Sequence, residues 1–487
     1  MSLRIYNTLT RTKVEFKPLQ APKVRMYVCG PTVYNFLHVG NFRGPVFFNL
    51  VRNWLEKKGY QVEYALNFTD IDDKIIKRAL EEKTTSSEVS ERYIAEYKKD
   101  FELLGLRPQE HNPKVTEHLD GIEELIQKLI EGKKAYEIEG DVYFQVSQFP
   151  EYGKLSGRNT DELLAGTRVE TDERKKAPMD FALWKRAKPQ EPSWPSRWSE
   201  GLPGLHIECS AMIHKIFGRT IDIHGGGLDL VFPHHENEIA QSEAALGTKL
   251  SEFWMHVNML NFGGQKMSKS VGNIVSMREF ATQYPSELYK WMILSSHYRS
   301  LLDFGHEALE RAVASLARIY SAMCLAEDFA KTLEITPAHR EKARQDLGLV
   351  QAQKKVEESL DDDFNTPEVW AQVFELVRIF NSKVKRGVKP QPAFVALAEE
   401  FLGWVKSVGQ TMSLFQKPAH EFLRELDDLL LQHKNLKRPD VEALVNERSQ
   451  ARAQKDFAKS DELRKKLTDL GISVQDLPQG SFWEVTK

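Results

Sequence analysis

The stretch KVRMYVCGPTVYNFLHVGNFRGPVFFNLVRNWLEKKGYQVEYALNFTD, residues 23–70, decides the fold. It opens with a short β-prone run, residues 23–30, closed by Gly30-Pro31. From Pro45 to Leu55 apolar residues recur at helical spacing, and Gly59 ends that helix. Residues 61–68 read as a second strand. Strand, helix and strand at this spacing predict a parallel pair joined by a right-handed crossover, so the fold class is α/β. Ligands of such sheets lie beyond the carboxyl ends of the strands, where Cys29 and Asn67-Phe68-Thr69-Asp70 fall.

Outward from this stretch, residues 71–135 read mainly as helix. The texture then changes: residues 136–144 resemble a hairpin, 179–185 a strand, and Pro189, Pro192 and Pro195 punctuate a loop. Residues 115–200 are therefore taken as an insertion in the parallel sheet. The α/β texture returns with a helix start at 205–212 and a strand at 220–224. Gly225-Gly226-Gly227 follows, a run that suits close approach of backbone to a ligand. From about 305 the chain is charged and helix-rich. The expected domains are 1–114 and 201–304 as two halves of a catalytic domain, 115–200 as the insertion, 305–415 as a helical bundle, and 416–487 as a small C-terminal unit ending in a hairpin.

The 487 residues are too many for one ordinary core. A net charge of −3 argues against a general nucleic-acid coat but leaves room for a local basic face. No run is apolar enough to cross a bilayer, and the N-terminus has no secretion-like apolar segment. Three cysteines fit a reducing compartment, and the cytoplasm is the expected location. Cys324 reads as a packing residue.

Several side chains carry chemistry. Cys29, Cys209, His234 and Glu238 offer two thiolates, an imidazole and a carboxylate, a set that suits one zinc ion; buried free thiols are the bland alternative. His38-Val39-Gly40-Asn41 opens a helix, and helix N-termini suit phosphate, with His38 as donor and Gly40 allowing a nucleotide against the backbone; taken by itself the stretch reads more readily as an ordinary N-terminal turn with a surface histidine. Lys266-Met267-Ser268-Lys269-Ser270 is either a cationic loop for a polyphosphate or a solvated basic turn. Thr69, Asp70, His224 and Asp229 are candidate substrate contacts, with helix-end and loop roles as their alternatives. Near the C-terminus Arg448, Arg452 and Lys455 fall within about two helical turns, either a solvated face or a patch for RNA phosphates beside a stacking aromatic.

In order and spacing, these phrases resemble the cysteinyl-tRNA synthetases, a family of class I aminoacyl-tRNA synthetases. The resemblance runs through Cys29–Tyr34, His38–Asn41, Asn67–Ile75, Pro203–Ser210, Asp222–Leu230, Pro233–Glu238 and Lys266–Ser270, nearly the full chain. It implies a Rossmann-like catalytic domain split by a connective insertion and followed by helical tRNA-binding domains. It implies zinc on Cys29, Cys209, His234 and Glu238, and catalytic roles for His38, Asn41, Lys266 and Lys269, with Gly40 and Lys269 against ATP. The implied reaction joins L-cysteine to the 3′-terminal adenosine of tRNA(Cys) through a cysteinyl-adenylate, with ATP and Mg²⁺. It also implies a monomer and RNA contact by Arg448, Arg452 and Lys455.

Two departures stand out. The family's first phrase ends in histidine where this chain has Asn41, which donates hydrogen bonds but carries no charge, so altered stabilisation of the phosphates is expected. The family has tryptophan where Leu205 stands. Two other functions remain to be separated: a ligase joining cysteine to an amino-sugar, against which the long helical C-terminal part argues, and a catalytically silent RNA-binding protein, motivated by Asn41.

Overall fold

The computed structural model describes residues 2–157, 174–189, 191–262, 265–266, 275–477 and 480–487, with backbone alone for 262, 265, 266 and 477. Contacts divide the chain into two units, residues 2–260 with 298–301, and residues 261–297 with 302–487. The division at 260/261 falls inside the span 201–304 that the sequence reading treats as one half-domain. The physical reason lies in packing: Trp291 lies 4.6 Å from Trp370, and helix Ser286–Leu294 joins the helices that follow it.

The first unit is built on a four-stranded parallel sheet in the order Ser251–Val257, Ile221–Gly227, Lys23–Val28, Gln61–Leu66. Val28 lies opposite both Leu66 and Gly225. Met26, Tyr27 and Val28 are all buried, as expected when helices cover both faces of a parallel sheet. Helix Arg43–Lys57 makes the crossover and buries Phe47, Phe48, Leu50, Val51 and Trp54. The triple glycine does not end its strand; it is the strand's last part. A Cβ on Gly225 would sit 2.2 Å from the Phe48 ring, and one on Gly226 2.8 Å from the His235 ring. The close approach assigned to a ligand at these two positions is thus made by the protein's own rings.

The insertion is an antiparallel sheet of Ala135–Ile138, Asp141–Phe144, Phe181–Arg186 and Gly201–Pro203. Asp180 ties it together by accepting from Tyr136 Oη at 2.9 Å and Val146 N at 3.0 Å. Its last strand runs through Gly204, where a Cβ would lie 2.1 Å from the Ala182 carbonyl, into helix Ile207–Phe217. The insertion therefore aims the helix that carries Cys209.

The second unit is helical, with His306–Phe329, Thr366–Lys383, Pro392–Met412 and Ala419–His433 among its helices. Helices Arg438–Ala453 and Phe457–Asp469 precede the hairpin Ile472–Leu477/Gly480–Val485, in which Ile472 faces Val485. Leu431, Val441, Val445, Leu467, Ile472 and Val485 give this end its own small core. Among the described residues no helix is long and apolar enough to cross a membrane.

Candidate metal and nucleotide site

Cys29 sits at the carboxyl end of the Lys23–Val28 strand, its N–H bonded to Gly225 O at 3.0 Å. The next residue must be glycine, because a Cβ on Gly30 would lie 1.7 Å from Asn67 O. Cys209 lies in the first turn of its helix. His234 lies in a wide turn, Val231–His235, and Glu238 in the first turn of helix Glu236–Leu246. The i,i+4 pair therefore meets across a turn-to-helix junction rather than along one helix.

These four side chains converge. Cys29 Sγ is 3.6 Å from Cys209 Sγ and 3.4 Å from Glu238 Oε1, and His234 Nε2 is 3.0 Å from Glu238 Oε1. All four donor atoms lie within 4.8 Å of one another. Zinc–sulfur bonds of about 2.3 Å at the tetrahedral angle put two thiolates about 3.8 Å apart, so the spacing and donor types fit zinc. The electrostatics agree. Burial pushes the Cys29 thiol well up, and Cys209 and Glu238 beside it add to the effect. The hydrogen bond from Cys29 brings Cys209 down to about 6 against the effect of burial. Burial would raise Glu238, but His224 and His234 hold it well below the carboxylate range. The Cys209 thiol and the Glu238 carboxyl are thus drawn towards their anions while the Cys29 thiol keeps its proton, and His234 beside Glu238 is raised; a bound divalent cation would take the place of those protons.

Around them stands a ring of histidines, of which the sequence reading singled out His224 but not His206, His235 or His256. His224 Nε2 is 2.7 Å from Glu238 Oε2, and its ring stacks on Trp254 at 4.4 Å. His235 Nε2 is 3.3 Å from Cys29 Sγ, while its Nδ1 is 2.8 Å from His256 Nε2; His256 Nδ1 is in turn 2.7 Å from Thr8 Oγ1. His206 Nδ1 lies 2.8 Å from His234 Nδ1. Partners of this kind orient metal ligands and tune their basicity. Two signals were available: His235 is the neighbour of His234, and Trp254 and His256 alternate along one strand and so share a face.

The other candidates are placed as follows. His38 caps the Val39–Phe42 turn that runs into helix Arg43–Lys57. Its Nδ1 accepts from Gly40 N at 3.1 Å, and Asn41 Oδ1 accepts from His38 N at 3.0 Å. Asn41 is exposed, and its amide oxygen closes this turn. Thr69 is buried with its Oγ1 3.5 Å from Glu208 Oε2, and Asp70 accepts from Thr116 N at 3.1 Å and from its hydroxyl. His224 is fully buried against Glu238, whereas Asp229 is exposed in the turn Leu228–Leu230. Lys266 is a strand residue opposite Asn261; its side chain, and Lys269 entirely, lie outside the described residues.

At the C-terminal end Arg448 is 1% exposed, and its guanidinium donates to both Asp476 oxygens at 2.7 and 2.9 Å. Arg448 is therefore not part of an open basic face. Arg452 also donates to Asp476 at 2.7 Å, but its side chain is largely exposed. Lys455 is exposed beside Phe457, whose ring is 63% exposed.

Comparison with known proteins places the geometry. Residues 15–314 match the family model for the catalytic domain of class I (C) tRNA synthetases, 355–416 the DALR domain, and 438–483 the cysteinyl-tRNA ligase anticodon binding domain. Among solved structures, methionyl-tRNA synthetase of Mycobacterium tuberculosis with methionyl-adenylate matches with a TM-score of 0.60 at 13% identity, over 82% of this chain and 93% of that one. A putative arginyl-tRNA synthetase from Campylobacter jejuni matches with a TM-score of 0.54 at 14% identity, over 83% and 95%. At such identities the likeness is one of fold, and the fold is that of the class I aminoacyl-tRNA synthetases.

Two relatives narrow the class. The cysteine–tRNA ligase of Bdellovibrio bacteriovorus is 62% identical over 487 residues, and that of Geobacter metallireducens 44% over 486, each match covering 100% of both chains. The chain belongs to the cysteine–tRNA ligase family.

Proposed function

We propose that this chain joins L-cysteine to the 3′-terminal adenosine of tRNA(Cys) with ATP and Mg²⁺, and that Cys29, Cys209, His234 and Glu238 hold one zinc ion that reads the substrate's sulfur. The observation that carries the reading is the convergence of two thiols, an imidazole and a carboxylate within 4.8 Å at the carboxyl edge of the sheet. Zinc held there supplies a borderline-soft Lewis acid that prefers a thiolate to a hydroxyl. An apolar pocket alone rejects serine poorly, since serine differs only by oxygen for sulfur.

The chain's own groups supply the rest. The cysteine α-carboxylate attacks the α-phosphorus of ATP, giving cysteinyl-adenylate and pyrophosphate. Because Gly40 N–H donates to His38 Nδ1, the neutral imidazole carries its proton on Nε2, the nitrogen that donates to a phosphate oxygen. Asn41 holds that turn through its amide oxygen. Lys266 and Lys269 supply positive charge as it is needed in the transition state. Thr69, Asp70 and Asp229 serve the amino acid and nucleotide, while His224 acts through Glu238. The 3′-terminal adenosine of tRNA then attacks the activated carbonyl and AMP leaves. Lys455, Phe457 and the outer side of Arg452 contact the RNA, with Arg448 beneath them. The enzyme works as a cytoplasmic monomer, in keeping with its three free cysteines.

The test is charging of tRNA with cysteine against serine, using zinc-loaded and chelator-stripped protein. Cysteine charging that needs the metal, with serine rejected, is the expected result. Equal charging and equal discrimination without metal would overturn the zinc reading. Offering an amino-sugar as acceptor excludes the other ligase, and cysteine-dependent ATP–pyrophosphate exchange excludes a silent RNA-binding protein.

A further inference from the structure

The first turn of helix Arg43–Lys57 carries a side chain that the ligation chemistry leaves unused. Arg43 is 2% exposed, and burying a guanidinium is costly unless its donors find acceptors. Its Nη1 donates to Met259 O, and its Nη2 to Ser300 O at 2.6 Å and Tyr298 O at 3.5 Å. Asn258 fastens the same segments, with its N–H on Tyr298 O at 2.9 Å and its Nδ2 on Arg299 O at 2.8 Å. One turn along the helix, the Phe47 ring stacks on Tyr298 at 4.2 Å.

All these atoms belong to the catalytic unit, and all lie where the chain leaves it. The chain departs at 260/261, returns at 298 and departs again after 301. Past the first departure comes the antiparallel pair Leu260–Phe262 and Gln265–Lys266, to which Leu302–Asp303 adds a third strand after the last. In the other direction, Arg43 follows the His38–Phe42 turn directly, and its N–H donates to Gly40 O. One buried cation, directly after the His38–Phe42 turn, therefore holds residues 259, 298 and 300, where the chain leaves and re-enters this unit.

We propose that Arg43 is a positioning residue for adenylation: it pins these chain crossings to the His38 turn and so sets where the Lys266 segment begins. Arginine suits the task because its planar fork serves several carbonyls at once, which a lysine ammonium on a flexible stem does not. The cysteine-binding pocket lies at Cys29 and should be indifferent to the change. The proposal rests on the reading of Lys266 as a phosphate-binding group.

The experiment is a double-mutant cycle of Arg43→Met and Lys266→Ala, followed by cysteine-dependent ATP–pyrophosphate exchange per active site, with sites titrated by the adenylate burst. R43M should keep its zinc and its KM for cysteine within about twofold. Its kcat should fall about 100-fold, the effect of a misplacement of about 1 Å. The double variant should be no slower than K266A, because a displaced lysine has little left to lose. Losses that multiply, or titrated R43M sites turning over at the native rate, would overturn the proposal and leave Arg43 a stabilising residue only. A native rate for K266A would defeat the reading of Lys266 and the Arg43 proposal with it, whereas a slow K266A whose loss multiplies with that of R43M defeats the Arg43 proposal alone. If R43M does not fold, Arg43→Lys takes its place: it keeps the charge and loses the fork, and the same non-additivity should accompany a kcat loss of about 10-fold.

Discussion

The pocket around Cys29 and the chain end around Asp476 both gather charge, and they handle it in opposite ways. In the pocket, Cys29, Cys209 and the His234/Glu238 pair come from three distant segments, and their ligand atoms crowd together with Cys209 and Glu238 buried and Cys29 partly exposed. Glu238 is paired there with the imidazoles of His224 and His234, and two thiols stand beside it, a donor set that suits a divalent cation. At the chain end, Arg448, Arg452 and Asp476 come from one short region and neutralise each other except for one positive charge. That surplus sits on the exposed Arg452, where an RNA phosphate can meet it. On the proposed function, one region is completed by a metal, the other by its own residues and then by a nucleic acid.

The contrast is sharpest under the same chemical change made twice. Glu238→Gln, a near-isosteric loss of charge, should weaken zinc binding by more than about 100-fold in chelator competition, since even outer-shell changes reach 10- to 100-fold. Asp476→Asn should leave zinc untouched and lower the unfolding temperature, because Arg448 would remain buried with a weaker acceptor. Breaking a fully buried pair costs about 3–5 kcal/mol, and with Asp476 about a third exposed the effect should be nearer 1–2. Zinc loss in D476N, or retention in E238Q, would erase the distinction.

The two regions also differed in how far the sequence revealed them. The strand–helix–strand reading of residues 23–68 describes what forms, because each element carries its own periodicity and stop signals. The four ligands have no spacing rule, so residues alone left zinc beside buried thiols, and only the ordered set of phrases selected it. His206, His235 and His256 escaped because each looks unremarkable in its own segment; they become a network only when the sheet brings residues 8, 29, 235 and 256 together. At the chain end the fault was of another kind. Helical spacing put Arg448 and Arg452 on one side, but it does not say that the hairpin covers Arg448 with Asp476.

A smaller effect should separate the residues that touch RNA from those that support them. Phe457→Ala should raise the KM for tRNA about 10-fold, as expected for one base–aromatic stack of about 1–3 kcal/mol. Pyrophosphate exchange should not change, because that reaction needs no tRNA. Arg448→Met should lower the unfolding temperature more than it raises the KM for tRNA. An unchanged KM in F457A would place base stacking on another surface.

Acid provides the gentlest comparison, with metal-stripped protein as the material. Burial brings His256 down to about 3, with His224 nearby adding to the effect. Burial likewise brings His206 to about 3, with His234 adding to it. Both rings start from 6.5 in the unfolded chain. Below that value the unfolded chain takes up protons that the folded pocket refuses, so stability falls as pH drops from 6.5 towards 3, by about 1.4 kcal/mol per pH unit for each ring. At the chain end the direction of the shift is the same but the window is not. The hydrogen bond from Arg448 holds Asp476 at about 2 against 3.8, so its contribution is intact above 3.8 and lost only as pH falls towards 2. Amide exchange followed peptide by peptide should therefore show the strands Ile221–Gly227 and Ser251–Val257 losing protection between pH 6 and 4, by the slope just given. Helix Arg438–Ala453 should keep its protection until the pH is below 4. If that helix loses protection first, or together with the strands, His206 and His256 are not held neutral by burial, and the proposed difference between the two charge clusters fails.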